Sequence, residues 1–133
     1  MSLPGGKSEP DDADGIATAL REATEEVGLD PSACGLAVVG RLDPLWIPPS
    51  NFVVDPILAV AARRPVLAAD PREVVAILQP PVATFLPGAP RTMVERDPRG
   101  RPLRYGAYLV EGRIVWGATA AILGQLGAVL AGK

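Results

Sequence analysis

Apolar residues at Ile16, Leu20, Ala23 and Val27 recur at i, i+4, i+7 and i+11, the spacing that lines one face of an α-helix. Asp12 or Asp14 can cap its start, because a short carboxylate accepts the free N–H groups there. Gly28, followed by Pro31, is placed to end it in a left-handed conformation. The segment before it, "SLPGGKSEPDD", reads as a turn-rich loop broken by Pro4, Gly5-Gly6 and Pro10. Further on the texture becomes β. "GLAVVGRL" (35–42), "FVVDPILAV" (52–60) and "EVVAIL" (73–78) are apolar, β-branched runs bounded by turn residues, and each predicts a strand. "RYGAYLVEG" (104–112) and "RIVW" (113–116) predict a hairpin turning at Glu111-Gly112, and 86–102 a long polar loop. The uncharged run from Ile114 to Gly132 is long enough to suggest a membrane span, but it is rich in Ala and Gly and contains Thr119 and Gln125. A strand entering a buried helix at Ala118–Leu130 accounts for it better. The expected fold is α+β, a mixed sheet flanked by two helices.

Composition narrows the setting. A chain of 133 residues predicts one domain spanning 1–133. Thirteen basic and 15 acidic residues give a net charge of -2, which offers no electrostatic reason to expect nucleic acid or an anionic membrane as partner. No signal-peptide pattern opens the sequence, so the cytoplasm is the expected compartment. Cys34 is alone and reads as a buried thiol, and there is no histidine. Any metal site must therefore use oxygen ligands, which suits Mg2+, Mn2+ or Ca2+.

Three carboxylates stand out. Glu22, Glu25 and Glu26 lie at neighbouring positions of the first helix, where like charges repel. Glu25 and Glu26 also sit in its last turn, where the helix dipole disfavours each acid by about 0.3–1 kcal/mol. Only Arg21 is close enough in sequence to compensate. A solvated helix face is the bland reading. A divalent cation would turn every one of these costs into a gain, and the Gly5-Gly6 loop could bring backbone carbonyls beside the same spot.

The run Arg21, Glu22, Ala23, Thr24, Glu25, Glu26, Val27, Gly28, Leu29 resembles the second half of the Nudix box. The first half departs from that pattern: counting from Gly6, the acid is Asp12 instead of Glu, and eight residues instead of seven separate it from Arg21. The extended box, opening on "PGGK", looks like the coenzyme A pyrophosphatase branch of the family. "IPPSNFVVDP" (47–56), "PREVVAIL" (71–78) and "IVWGATAAIL" (114–123) are similar to later blocks of that branch. The resemblance implies an α/β/α sandwich that hydrolyses a pyrophosphate joined to a nucleoside, with Mg2+ or Mn2+ held by Glu22, Glu25 and Glu26 and by a carbonyl of Gly5 or Gly6. Arg21 would orient the glutamates. The water's proton would go to a glutamate such as Glu25, or to a loop acid, for which Glu73 is the candidate with Asp70 behind it. Lys7, Ser50 and Asn51, with Trp46, are candidates for substrate contacts, although Pro48-Pro49 reads equally as a stiff turn into a strand. Trp116 is expected in the core. Coenzyme A or its thioesters would yield 4'-phosphopantetheine and 3',5'-ADP. Another nucleoside diphosphate derivative is the alternative substrate, and an inactive binding module the alternative class.

The branch carries N-terminal strands and a basic signature before its "PGGK", so the expectation is a chain shortened at its N-terminus, with Met1 read from an internal GTG codon. An uncovered sheet edge and apolar face then predict a homodimer.

Overall fold

The computed structural model describes residues 2–48, 50–96, 99 and 102–132; Met1 and Pro49, both singled out above, lie outside them. Helices and antiparallel sheets make up an α+β fold, as the periodicities predict. The chain divides into two compact units, one formed by Leu3–Pro44 with Val53–Ile77, the other chiefly by Leu45–Phe52 with Leu78–Lys133.

In the first unit, α1 (Gly15–Val27) is the helix that the apolar spacing predicts. Asp14 is its cap, with Oδ1 accepting from the Ala17 N–H at 2.8 Å. Gly28 ends it at φ +67°, its N–H and that of Leu29 bonding back to the Thr24 and Ala23 carbonyls. A helical turn, α2 (Pro31–Cys34), buries the Cys34 thiol and leads into β1 (Leu36–Arg41). β1 pairs antiparallel with β4 (Ile57–Ala61), from Leu36↔Ala61 to Arg41↔Ile57, with an irregularity between Val38 and Gly40. The predicted 52–60 strand is broken at Asp55-Pro56, since proline has no N–H for a ladder. Its first part is β3 (Phe52–Val54), where the chain passes from the second unit to the first; it pairs with β2 (Leu45–Ile47), an element the sequence pattern did not predict. Residues 73–78 form no strand. Asp70 turns the chain there, accepting from the Glu73 and Val74 N–H groups at 3.0 and 2.8 Å, and Val75 is 96% exposed.

The second unit holds the core. Phe85, in the 3-10 turn Val82–Phe85, meets Tyr108 edge-on with ring centroids 5.0 Å apart. Val110, Val115 and Ala120 close around the pair, with Leu78 and Leu123 packed outside. The sheet runs β5 (Thr92–Arg96), β6 (Pro102–Val110), β7 (Arg113–Val115), all antiparallel. β5 occupies part of the span predicted as a loop. The β6–β7 turn is where the sequence predicts it, with Glu111 and Gly112 both at positive φ, as a tight hairpin turn requires. The final helix, α3 (Gly117–Leu130), begins one residue before the prediction. Trp116, expected in the core, is 41% exposed. No described helix is long and apolar enough to cross a membrane.

Candidate active site

Arg21 contacts two of the three carboxylates of α1. Glu25, 55% exposed at its side chain, turns towards Arg21, with its Oε2 3.2 Å from Nη1. Glu22 meets the same Nη1 at 3.1 Å, and Glu26 lies beside Glu22 and the Gly5 N–H. Burial, the largest effect, together with the neighbouring Glu22, pushes the Glu26 carboxyl above the usual carboxylate range; Gly5 opposes this and Glu73 adds to it. Gly6 lies so near that a Cβ there would stand 2.5 Å from Glu22 Oε1. Gly6 thus lets backbone approach Glu22 where a side chain would collide, while a Cβ at Gly5 would meet nothing within 4 Å.

Glu73 reaches this spot through the main chain. After β4 the chain runs past the end of α1, where the Ala68 N–H donates to the Val27 carbonyl and the Asp70 N–H to the Glu26 carbonyl, both at 2.9 Å. These bonds satisfy helix-end carbonyls that would otherwise lack partners. Gly28 permits the approach, since a Cβ there would meet the Ala68 oxygen at 3.3 Å. The Asp70 turn then presents Glu73 within electrostatic reach of Glu26. Asp70 itself is bridged by Arg72, Nη2 to Oδ2 at 3.1 Å, and this pair holds its carboxyl below the ordinary range.

Arg21 distributes its whole fork. Nε donates to Asp12 Oδ1 at 3.1 Å, Nη1 to Glu22 and Glu25, and Nη2 to Asp12 Oδ2 at 3.1 Å and to the Lys7 carbonyl at 3.0 Å. The Arg21 bond, and then the Glu9 N–H, pull Asp12 down from 3.8 to about 2. Asp12, which the sequence offers as a helix cap and as the box acid, is the partner of Arg21; that pairing leaves no periodic signal, because it spans nine residues and a loop.

The structure therefore places Glu26 beside Glu22 and Gly5 with Glu73 in electrostatic reach, and Arg21 on both Glu22 and Glu25. Among the described residues, no three acidic, Cys or His side chains converge closely enough to hold a metal as they stand. The donor chemistry still fits one. Two neighbouring carboxylates, one of them disfavoured as an anion by burial and by the other, form the hard oxygen pair that a divalent cation takes. Lys7 contributes its carbonyl to the Arg21 clamp.

Ser50 and Asn51 belong to the second unit, where their bonds serve the β2–β3 turn. Ser50 Oγ donates to the Ile47 carbonyl at 3.0 Å, and Asn51, at φ +58°, accepts from Trp46 Nε1 at 3.0 Å. Trp46 lines an open apolar groove of about 220 Å3 with Leu45, Ile47, Gly117, Ala118 and Ala121.

No family model matches the chain. Among curated proteins it is 33% identical over 126 residues to the Nudix hydrolase NudL of Photorhabdus laumondii, covering 95% of this chain and 66% of that protein. It is 37% identical over 131 residues to Nudix hydrolase 15 of Arabidopsis thaliana, covering 92% and 44%. The NudL protein of Yersinia enterocolitica is 33% identical, with 95% and 63% covered. The chain thus spans between 44% and 66% of the length of these relatives. With homologues of one kind matching more than nine-tenths of its residues, the chain belongs to the Nudix hydrolase family.

Proposed function

We propose that the chain hydrolyses a nucleoside-linked pyrophosphate with the help of Mg2+ or Mn2+, and that coenzyme A or its thioesters are the substrate, giving 4'-phosphopantetheine and 3',5'-ADP. The observation that carries this reading is the Glu22–Glu26 pair, held against Gly5-Gly6 with Glu73 in reach. A bound divalent cation supplies charge neutralisation on the phosphate oxygens and lowers the pKa of water. Glu22 and Glu26 hold it, with Glu25 joining from the same helix and a carbonyl of Gly5 or Gly6 nearby. Arg21 keeps the glutamates oriented. Glu73 accepts the proton as water oxygen bonds to phosphorus, and the bridging P–O bond breaks towards the leaving phosphate. Lys7, Ser50 and Asn51 are the proposed substrate contacts. The chain acts as a homodimer, for which the exposed apolar side chains Val39 and Val60 of β1 and β4 offer contact surface.

One observation favours a second reading. Among the described residues no three acidic side chains converge to hold a metal as they stand, as suits a module that binds nucleotide without turning it over. Coenzyme A, ADP-ribose and other nucleoside diphosphate derivatives incubated with the chain and Mg2+ or Mn2+ decide between them. Release of 3',5'-ADP from coenzyme A supports the proposal. Turnover of another derivative alone moves the substrate, and binding without turnover of any leaves the module.

A further inference from the structure

We infer that the groove lined by β2 and the start of α3, together with Arg91, binds a carboxylate that ends an aliphatic chain. The residues involved all belong to the second unit, whether or not Glu22 and Glu26 hold a cation. Leu45, Trp46 and Ile47 of β2 and Gly117, Ala118 and Ala121 of α3 line the groove, and none of them brings a charge. The polar atom of Trp46, Nε1, is taken by Asn51. A charged or polar ligand group placed here would lose its water and find no partner. An alkyl chain loses nothing and covers the half-exposed Trp46 ring. At about 30 Å3 for a group the size of a water, the 220 Å3 of space admits about seven methylenes.

A charge stands further along the same helix face. Gly117, Ala121 and Gly124 recur at i, i+4 and i+7 of α3, so they share one side of it. Gly124 lies about 4.5 Å beyond Ala121 along the axis, at 1.5 Å per residue. There the Arg91 guanidinium sits against bare backbone: a Cβ at Gly124 would stand 3.9 Å from Nη2, and one at Gly106 of β6 3.7 Å from Nη1. Nη2 donates to the Tyr108 hydroxyl at 2.9 Å, and the guanidinium carbon is 5.0 Å from the centre of that ring. Tyr108 is fixed in turn by Phe85. Arg91 is thus held by two glycines and a phenol, none of them charged. Among the described residues no carboxylate pairs with it, whereas Arg21, Arg41 and Arg72 each meet one. Nε and Nη1 have no acceptor there either, although the residue is exposed to solvent. A guanidinium fixed in place with its fork open suits a carboxylate, which takes two parallel N–H bonds. Its single charge matches a carboxylate better than a phosphate monoester, which carries about 1.5 to 2 negative charges. Acetate would meet Arg91 and leave Trp46 bare; an alkanoate of about eight carbons satisfies both, by the volume above.

The test titrates octanoate, octanol, octylamine, octyl phosphate and acetate into the full chain by calorimetry, and follows the Trp46 indole N–H and the Arg91 Nε–H by NMR. Octanoate should bind and shift both signals, while acetate and octylamine should not bind. Octanol should bind about 10–100-fold more weakly than octanoate, the scale of a lost bond to a charged group. From butanoate through hexanoate to octanoate, affinity should rise about fourfold per methylene and level off by dodecanoate, once the groove is full. Arg91→Gln should bring octanoate down to the affinity of octanol and leave octanol unchanged. Ala121→Leu, which fills the groove, should weaken octanol and octanoate alike. Octanoate that does not bind, that binds no better than octanol or that shifts neither signal overturns the inference. So does tighter binding of octyl phosphate, or an Arg91→Gln chain that binds octanoate as wild type does. If Arg91→Gln does not fold, the comparison of octanoate with octanol and octylamine on wild type decides in the same way.

Discussion

Two nitrogens of Arg21 grip Asp12, Nε standing 3.1 Å from Oδ1 and Nη2 3.1 Å from Oδ2. The grip has a pH signature. Asp12 is held at about 2, below its ordinary 3.8. A carboxylate that is more acidic in the folded state binds fewer protons there than in the unfolded chain. Its contribution to stability is then complete above about pH 4 and is lost as pH falls through about 2. Chemical denaturation of the cation-free chain at a series of acidic pH values should show stability declining across that window. Asp12→Asn should flatten the decline there, and an unaltered slope would reject the assignment.

Glu26 has the opposite sign. Its carboxyl is raised above 4.5 by burial and by Glu22, so the folded state holds the proton more tightly than the unfolded one. Stability without cation is greatest while Glu26 is protonated and falls as pH rises from about 4.5 through the raised value. Glu26→Gln removes that dependence. At neutral pH it should stabilise the cation-free chain by about 0.2–0.5 kcal/mol, the scale of a relieved like-charge pair on a helix. Mn2+ should raise the melting temperature of wild type and leave that of the variant where it was, since a ligand stabilises only a state that binds it. Equal shifts in both would remove Glu26 from the ligand set.

These opposed acids show what was legible in the sequence. Helix α1 was readable because its buried spacing, Asp14 cap and Gly28 stop are local and agree with one another. The turn at Glu111-Gly112 was readable for the same reason. The arrival of Glu73 beside Glu26 was not, because it depends on Ala68 and Asp70 donating to the end of a helix more than 40 residues earlier. The same bonds explain the failed strand at 73–78: Asp70 turns the backbone immediately before it, so its apolar residues pass into a loop. β5 was hidden for the reverse reason, since Thr92–Arg96 lacks an apolar alternation and takes its pairing from β6. The glutamates were legible as a group, whereas the contact of Arg21 with Glu22 as well as Glu25 was not.

Gly127 tests the packing of α3. A Cβ there would stand 1.8 Å from the Phe85 carbonyl oxygen and 2.5 Å from its carbon, both main-chain atoms. In an exposed helix, alanine would gain about 0.8–1.0 kcal/mol over glycine. Here the helix must move off the turn that carries Phe85, and overpacking of that kind costs about 1–3 kcal/mol. Gly127→Ala should therefore lower stability despite its better propensity, with loss of the near-ultraviolet signal of Tyr108 packed on Phe85. A stabilised variant would mean that α3 does not press on that turn.

Gly6 separates binding from folding. A Cβ at Gly6 would meet Glu22 Oε1 at 2.5 Å and its Cδ at 2.7 Å. Unlike the atoms facing Gly127, these are the far end of a flexible side chain, which can swing aside. Folding should hardly notice, with a change within about 0.5 kcal/mol, as for substitutions away from a packed core. Displacing the Glu22 carboxylate, however, separates it from Glu26 and breaks up the oxygen pair proposed to hold the cation. Gly6→Ala should accordingly lose at least about tenfold in Mn2+ affinity, the lower end of what disturbed ligand orientation costs, and any pyrophosphate hydrolysis should fall with it. Calorimetric titration alongside a denaturation curve reads both quantities on one sample. Weakened binding at unchanged stability assigns the bare Cα at position 6 to the cation site. Unchanged binding would mean that Glu22 has no part in holding the ion, and the ligand set would have to be redrawn around Glu26 and Glu73.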